Sequence, residues 1–218
     1  KTTTCSVLTY GFNPRIMEYS TYVGAMDSVL ESMAKTVACG GDWERIHFSF
    51  QEYFERLNQD PQRWGKVTEA LLGAMQVQDY FQKAAIGGKD SMSGTFNDKH
   101  VVPTLISFAC SDANTKNISA EGLPELSSYK TMFAAVSEGI RQGTIVSAYV
   151  GEEGGVLAAL FKMSFGNCLG FAIEGGQELL QLQPGLIVAE VTPQFADERA
   201  AVIGEVKAEP QYGINDLR

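Results

Sequence analysis

Between residues 24 and 50 the spacing of the apolar side chains changes, and that change confines the chain to folds in which helix and sheet share a core. Met26, Val29, Leu30, Met33 and Val37 recur at the spacing of one helix face, and Cys39-Gly40-Gly41-Asp42 stops the run. Over residues 44–50 the period drops to two. Ile46, Phe48 and Phe50 fall on one side, with Arg45, His47 and Ser49 on the other, which is the pattern of a half-buried strand. A second helical pattern over 66–83 uses Val67, Leu71, Met75 and Val77, while 51–57 has a short helical look and 58–64 reads as a polar connection containing Pro61. Residues 101–109 form a mostly apolar strand with Pro103 near its start or at a sheet edge. With residues 1–8 read as a first strand, the order strand, helix, strand, helix, strand, strand predicts a mixed α+β unit rather than a bundle or a sandwich.

Residues 111–128 are polar, carry Gly122 and Pro124, and lack periodicity, so a boundary is expected there. It divides the chain into two α+β domains, 1–118 and 122–218. The second begins with a helix over 129–142, whose apolar face is Met132, Phe133, Val136 and Ile140, and continues with a strand over 144–150. Gly151-Glu152-Glu153-Gly154-Gly155 then leads into a helix over 156–165, and strands are expected over 169–173, 186–191 and 201–206.

The chemistry-bearing run is Ala85-Ile86-Gly87-Gly88-Lys89-Asp90-Ser91-Met92-Ser93-Gly94. Gly87 and Gly88 allow close approach of the backbone to a ligand, and Lys89, Ser91 and Ser93 suit phosphate oxygens. A loop that cradles an anion or a nucleotide phosphate is one reading. A glycine-rich turn whose Lys89 and Asp90 face solvent uses the same residues. The run is not a P-loop, because Lys83 stands where that motif needs glycine and Asp90 where it needs Ser or Thr.

Elsewhere the residues exclude more than they assign. A net charge of −9 argues against a general nucleic-acid or membrane binder, and no stretch approaches the roughly 20 apolar residues of a membrane span. Cys5, Cys39, Cys110 and Cys168 lie far apart, and His47 and His100 flank no second ligand, so a structural zinc site is not expected. Reduced, buried cysteines and a cytoplasmic location are the simplest expectation. Trp64 is expected to anchor packing. Glu31 and Lys35 have the spacing of a helical ion pair, and Glu152 and Glu153 would repel phosphate from the turn they occupy unless magnesium intervened.

The run ending Gly94-Thr95-Phe96 resembles the signature of phosphoribosylformylglycinamidine synthase, a purine-pathway ligase of the aminoimidazole ribonucleotide synthetase-like superfamily. Other words agree in order: Tyr10-Gly11-Phe12-Asn13-Pro14, Ser49-Phe50-Gln51-Glu52-Tyr53-Phe54, Asp60-Pro61 with Arg63-Trp64-Gly65, Val146-Ser147-Ala148-Tyr149, and Lys162-Met163 before Phe165-Gly166-Asn167. The resemblance implies the two α+β domains of the second synthetase half. It also implies ATP or ADP and Mg2+ as cofactors, and the other half and a glutaminase domain as partners.

By the same resemblance Lys89 and Asp90 serve catalysis, with Asp90 either holding a metal or orienting Lys89. Gly87, Gly88, Ser91 and Ser93 bind phosphate or substrate. Glu31 gives a carboxylate to the metal, although Lys35 stands where relatives commonly have asparagine and Thr4 where they have another carboxylate, so this metal and nucleotide site is expected to be altered. A non-catalytic structural half is the alternative, with selenophosphate synthetase or thiamine monophosphate kinase as other members of the superfamily. The start without methionine and the abrupt end suggest a piece of a longer polypeptide, and the join at Glu121-Gly122 is shorter than in relatives.

Overall fold

The computed structural model describes residues 6–111, 126–152, 154–181 and 185–215. Strand β1 (Val7–Gly11) leads into a short helix α1 (Pro14–Tyr19), started by Pro14 and by the Asn13 side chain accepting from the Ile16 N–H. Ser20 closes α1 and caps α2 (Thr21–Ala38) by accepting from the Val23 N–H. Then come β2 (His47–Tyr53), α3 (Pro61–Phe81), β3 (Ala85–Ser91), the hairpin of β4 (Thr95–Phe96) and β5 (Lys99–His100), and β6 (Thr104–Ser111). After the undescribed 112–125, which contains both expected domain bounds, follow α4 (Leu126–Arg141), β7 (Ile145–Val150) and α5 (Gly155–Asn167). Strands β8 (Gly170–Glu174), β9 (Ile187–Val191), β10 (Gly204–Lys207) and β11 (Tyr212–Asn215) complete the order.

Four strands form a mixed sheet in the order β1-β6-β2-β3, antiparallel except for the β2–β3 pair. Strand alternation turns Phe48, Phe50, Leu105, Ser107 and Ala109 to one face, where α2 lies across them. Ser32 on α2 shares a 2.8 Å hydroxyl hydrogen bond with Ser107, and Thr9 donates to the Ser32 carbonyl at 2.7 Å, so buried polar groups tie helix to sheet. Helix α3 packs outside α2, near enough at Gly73 that an added Cβ would stand 2.2 Å from the Tyr22 carbonyl oxygen. The opposite face of the sheet carries Leu8 and Tyr10, which are 68% and 56% exposed, together with Ile106, Phe108 and Tyr53.

The larger core does not stop where the first sheet ends. Leu126, Tyr129 and Phe133 of α4 and Val150 of β7 belong to it, with Phe133 packed against Trp43 and Phe81. A smaller core gathers Val156, Ala159, Phe171, Ile173, Leu179 and Val188 beneath the β10-β8-β11 sheet and the β7–β9 pair. Among the described residues no helix is long and apolar enough to cross a membrane.

Several local expectations are corrected. Residues 51–53 continue β2 and 54–57 are not helical, because β2 is hydrogen-bonded to β6 on one side and β3 on the other. Helix α3 starts at Pro61, a first-turn position that suits proline, with Asp60 accepting from the Gln62 N–H. Its buried stripe is Val67, Ala70, Ala74, Val77 and Phe81, so small residues face α2 while Leu71, Met75 and Trp64 are left half-exposed or more. Cys39, Cys110 and Cys168 are exposed free thiols instead of buried ones, and Cys5 lies outside the described residues. Helix α1, the β4–β5 hairpin and β11 are additional elements.

Candidate functional site

The glycine-rich run is an edge strand, not a turning loop. Gly87, Gly88, Lys89, Asp90 and Ser91 lie opposite Ser49, Phe50, Gln51, Glu52 and Tyr53 in parallel register, so the N–H groups of β3 follow a ladder and do not converge on one anion. Gly88 is required by that pairing: a Cβ there would stand 2.3 Å from the Phe50 carbonyl oxygen. Alternation puts Lys89 on the open face with Ser91 and Gly87, and Asp90 on the other face beside Glu52. Asp90 is therefore aimed at a carboxylate neighbour, not at Lys89. Burial first, and the Asp90 charge second, push the Glu52 carboxyl up to about 7, and its Oε1 is buried without a hydrogen-bond partner. Lys89 itself is exposed.

The strand end is braced by a hub that the sequence did not suggest. Phe54 N–H donates to the Ser91 carbonyl, Gly94 N–H to the Phe54 carbonyl, and the Ser91 and Ser93 hydroxyls share a 2.8 Å hydrogen bond. Below them the buried Glu55 carboxylate meets Lys66 at 2.6 Å and Arg63 and His100 at 3.5 Å each. Burial alone would raise its carboxyl, but Lys66, Arg63 and His100 outweigh that and hold it below the usual range. Ser91, Ser93 and the β4–β5 hairpin are thereby fixed relative to the first turns of α3.

A second charged cluster lies at the other edge of the sheet, three strand spacings or roughly 14 Å away along the hydrogen-bonding direction. Asp27, Glu31 and Lys35 fall at successive four-residue steps along α2. The Glu31 Oε2 accepts from the Phe12 N–H at 2.7 Å, and its Oε1 pairs with Lys35 Nζ at 2.8 Å. The same ammonium reaches Glu152 Oε1, at the end of β7, at 2.6 Å and lies 4.6 Å from the centre of the Tyr10 ring. Glu152 Oε2 is held in turn by Lys162 of α5 at 2.7 Å.

Burial raises the Glu31 carboxyl despite these donors, whereas Lys162 and Lys35 overcome burial and lower Glu152. Asp27 is 4% exposed and its Oδ1 has no hydrogen-bond partner. Burial and the neighbouring Glu31 push its carboxyl up to about 7. The Glu31–Lys35 spacing foretold their ion pair, and the same step back would have found Asp27. The convergence of Glu152 could not be read, since it depends on how β7 docks against α2.

Magnesium does not fit this arrangement as it stands. Every oxygen of Glu31 and Glu152 is already taken by an N–H or an ammonium, and among the described residues no group of three metal-ligating side chains is assembled. Thr4 and Glu153 lie outside the described residues. The structure thus separates the expected site residues: Gly87, Gly88, Lys89, Ser91 and Ser93 at one sheet edge, and Glu31 at the other on the helix-covered face.

No protein-family model matches the sequence, and no curated protein matches it. Solved structures do. PurL of Thermotoga maritima complexed with AMPPCP superimposes with a TM-score of 0.73 at 16% identity over 97% of this chain and 43% of that one. The same protein complexed with FGAR gives 0.66 at 14% identity over 96% and 43%. HypE, from a HypE–HypF complex, gives 0.63 at 13% identity over 96% of this chain and 86% of its counterpart. The fold is that of the aminoimidazole ribonucleotide synthetase-like proteins. PurL, a phosphoribosylformylglycinamidine synthase in Thermotoga maritima, is among the proteins of this fold, and this chain spans between a third and about two-fifths of the PurL chains it matches.

Proposed function

We propose that this chain is part of an ATP-dependent ligase that converts formylglycinamide ribonucleotide, ATP and ammonia into formylglycinamidine ribonucleotide, ADP and phosphate. The observation that carries the reading is the joint one. Six sequence words resemble this enzyme in order, and the same chain superimposes over nearly its whole length on PurL complexed with FGAR and with AMPPCP. In the reaction the amide oxygen takes the γ-phosphoryl group, and ammonia then displaces phosphate from the resulting iminophosphate carbon. What a protein must supply is positive charge at the phosphoryl oxygens and a fixed geometry.

Lys89 supplies the first. It stands exposed on the open sheet face, on a strand anchored by Gly88 and by the Glu55 hub. Ser91 and Ser93 extend the same edge with hydroxyl donors. The remaining synthetase half covers the open face with its Leu8, Tyr10 and Phe108, and a glutaminase domain delivers ammonia, so the chain alone is inactive. Substituting Lys89→Ala in the longer enzyme is expected to lower kcat about 100-fold with a smaller change in KM, as for loss of one charge-stabilising donor. Unchanged turnover would remove Lys89 from catalysis and favour a structural role for this half, the second reading that the Lys35-filled acid cluster supports.

A further inference from the structure

We infer that the outward face of α3 is an interaction surface of its own, and that its occupant is the α3 of a second copy of this chain, packed antiparallel about Leu72. A helix face turned to water is normally polar or charged. On α3 that face carries Trp64, Leu71, Leu72, Met75 and Tyr80, each between 40% and 62% exposed, and a continuous apolar patch of this kind marks a contact surface. The charged residues within it are Glu69 and Asp79. Glu69 accepts from the Thr21 hydroxyl at 2.7 Å and so is turned toward α2, while Asp79 makes no ion pair among the described residues. Helix α3 packs outside α2, whereas Leu8 and Tyr10 lie on the opposite side of the sheet, so the two apolar surfaces do not overlap.

The order of residues along the helix selects a second copy. Counted from Leu72, an aromatic residue stands eight positions away in each direction, Trp64 and Tyr80, and a polar one four positions away, Thr68 and Gln76. In an antiparallel pair centred on Leu72, residues equally far before and after it come level, so the face matches its own reverse. Asp79 of one copy then comes level with Gly65 of the other, beside an open hollow of about 610 Å3 lined by Asn58, Pro61, Trp64, Gly65 and Thr68. A Cβ on Gly65 would meet nothing within 4 Å, so the hollow has room for an incoming side chain. The first turn of α3 is the positive end of the helix dipole and favours a carboxylate in that place. With roughly 500 Å2 of apolar surface exposed on each copy, pairing buries about 1,000 Å2, the lower bound of a specific interface and the size of a weak dimer.

The test is equilibrium sedimentation of the purified chain in the Leu8→Glu background, which suppresses association through the open sheet face and needs no ligase turnover. Leu8→Glu is expected to retain a monomer–dimer equilibrium with a Kd on the order of 10–100 μM. Adding Leu72→Glu or Leu72→Lys is expected to weaken that dimer about tenfold or more, because like charges then face each other across the twofold axis. Leu72 is half-exposed, so neither change disturbs the core. An equimolar mixture of the two variants is expected to dimerise more strongly than either alone, since opposite charges then meet at the axis. A Leu8→Glu chain that stays monomeric at about 1 mM, or whose dimer ignores both Leu72 substitutions, would overturn the proposal. A mixture that associates no better than its components would overturn the pairing about Leu72.

Discussion

Asp27 is the residue whose environment departs furthest from what its chemistry prefers. Its carboxyl, ordinarily near 3.8, is pushed up to about 7 by burial and by Glu31, so the folded protein holds a proton that the unfolded chain releases. Stability from this group is complete below pH ~4, falls as pH rises from there through about 7, and then levels off, a loss of order 4 kcal/mol at full shift. Glu52 acts in the same direction with a smaller effect, being partly exposed. Urea unfolding of Asp27→Asn is expected to show a much shallower decline between pH 5 and 8 than wild type, and greater stability at pH 8. An unaltered slope would show that Asp27 is ionised in the folded state. The helical step linking Asp27 to Glu31 was legible in the sequence. Its burial was not, because Tyr129 and Val150, brought in from far along the chain, complete the core around it.

At the scale of elements, two glycines set how closely neighbours approach. Gly88→Ala would drive a Cβ to 2.3 Å from the Phe50 carbonyl oxygen and should split β3 from β2, costing more than about 2 kcal/mol, whereas Gly87→Ala meets open space and should stay within about 1 kcal/mol of wild type. Equal effects at the two positions would contradict the register. Gly73→Ala should destabilise despite alanine's better helix propensity of about 1 kcal/mol, because Tyr22 of α2 lies 2.2 Å from the added atom. Chemical denaturation of the three variants checks both statements.

These positions also show where sequence reading stopped. The 3.6-residue period located α2, α4 and α5, and the period of two found β2. On α3, however, the large residues misled, since close packing against α2 selects alanine and glycine and leaves Leu71, Leu72 and Met75 outside. The run 85–91 hid a strand because its glycines weaken intrinsic strand preference, which pairing with β2 overrides.

For the whole molecule, the open face of the first sheet is the feature that asks for a partner. Leu8 and Tyr10 stand exposed beside Phe108 and Ile106, and the chain spans about two-fifths of the PurL chains of the same fold. Purified alone it is expected to self-associate at micromolar concentration, and Leu8→Glu is expected to shift sedimentation toward the monomer. A monomeric wild-type chain would argue that this face needs no cover. The fold as a whole was legible because its sequence words were, while the separation of Lys89 and Glu31 to opposite edges of the sheet emerged only from the strand order.

The most direct measurement of the proposed activity is phosphate release by the full ligase containing this chain, supplied with ATP and ammonia, with and without formylglycinamide ribonucleotide. The account expects release that depends on the ribonucleotide, matches amidine formation one for one, and falls about 100-fold in Lys89→Ala. Phosphate release indifferent to the ribonucleotide would contradict it.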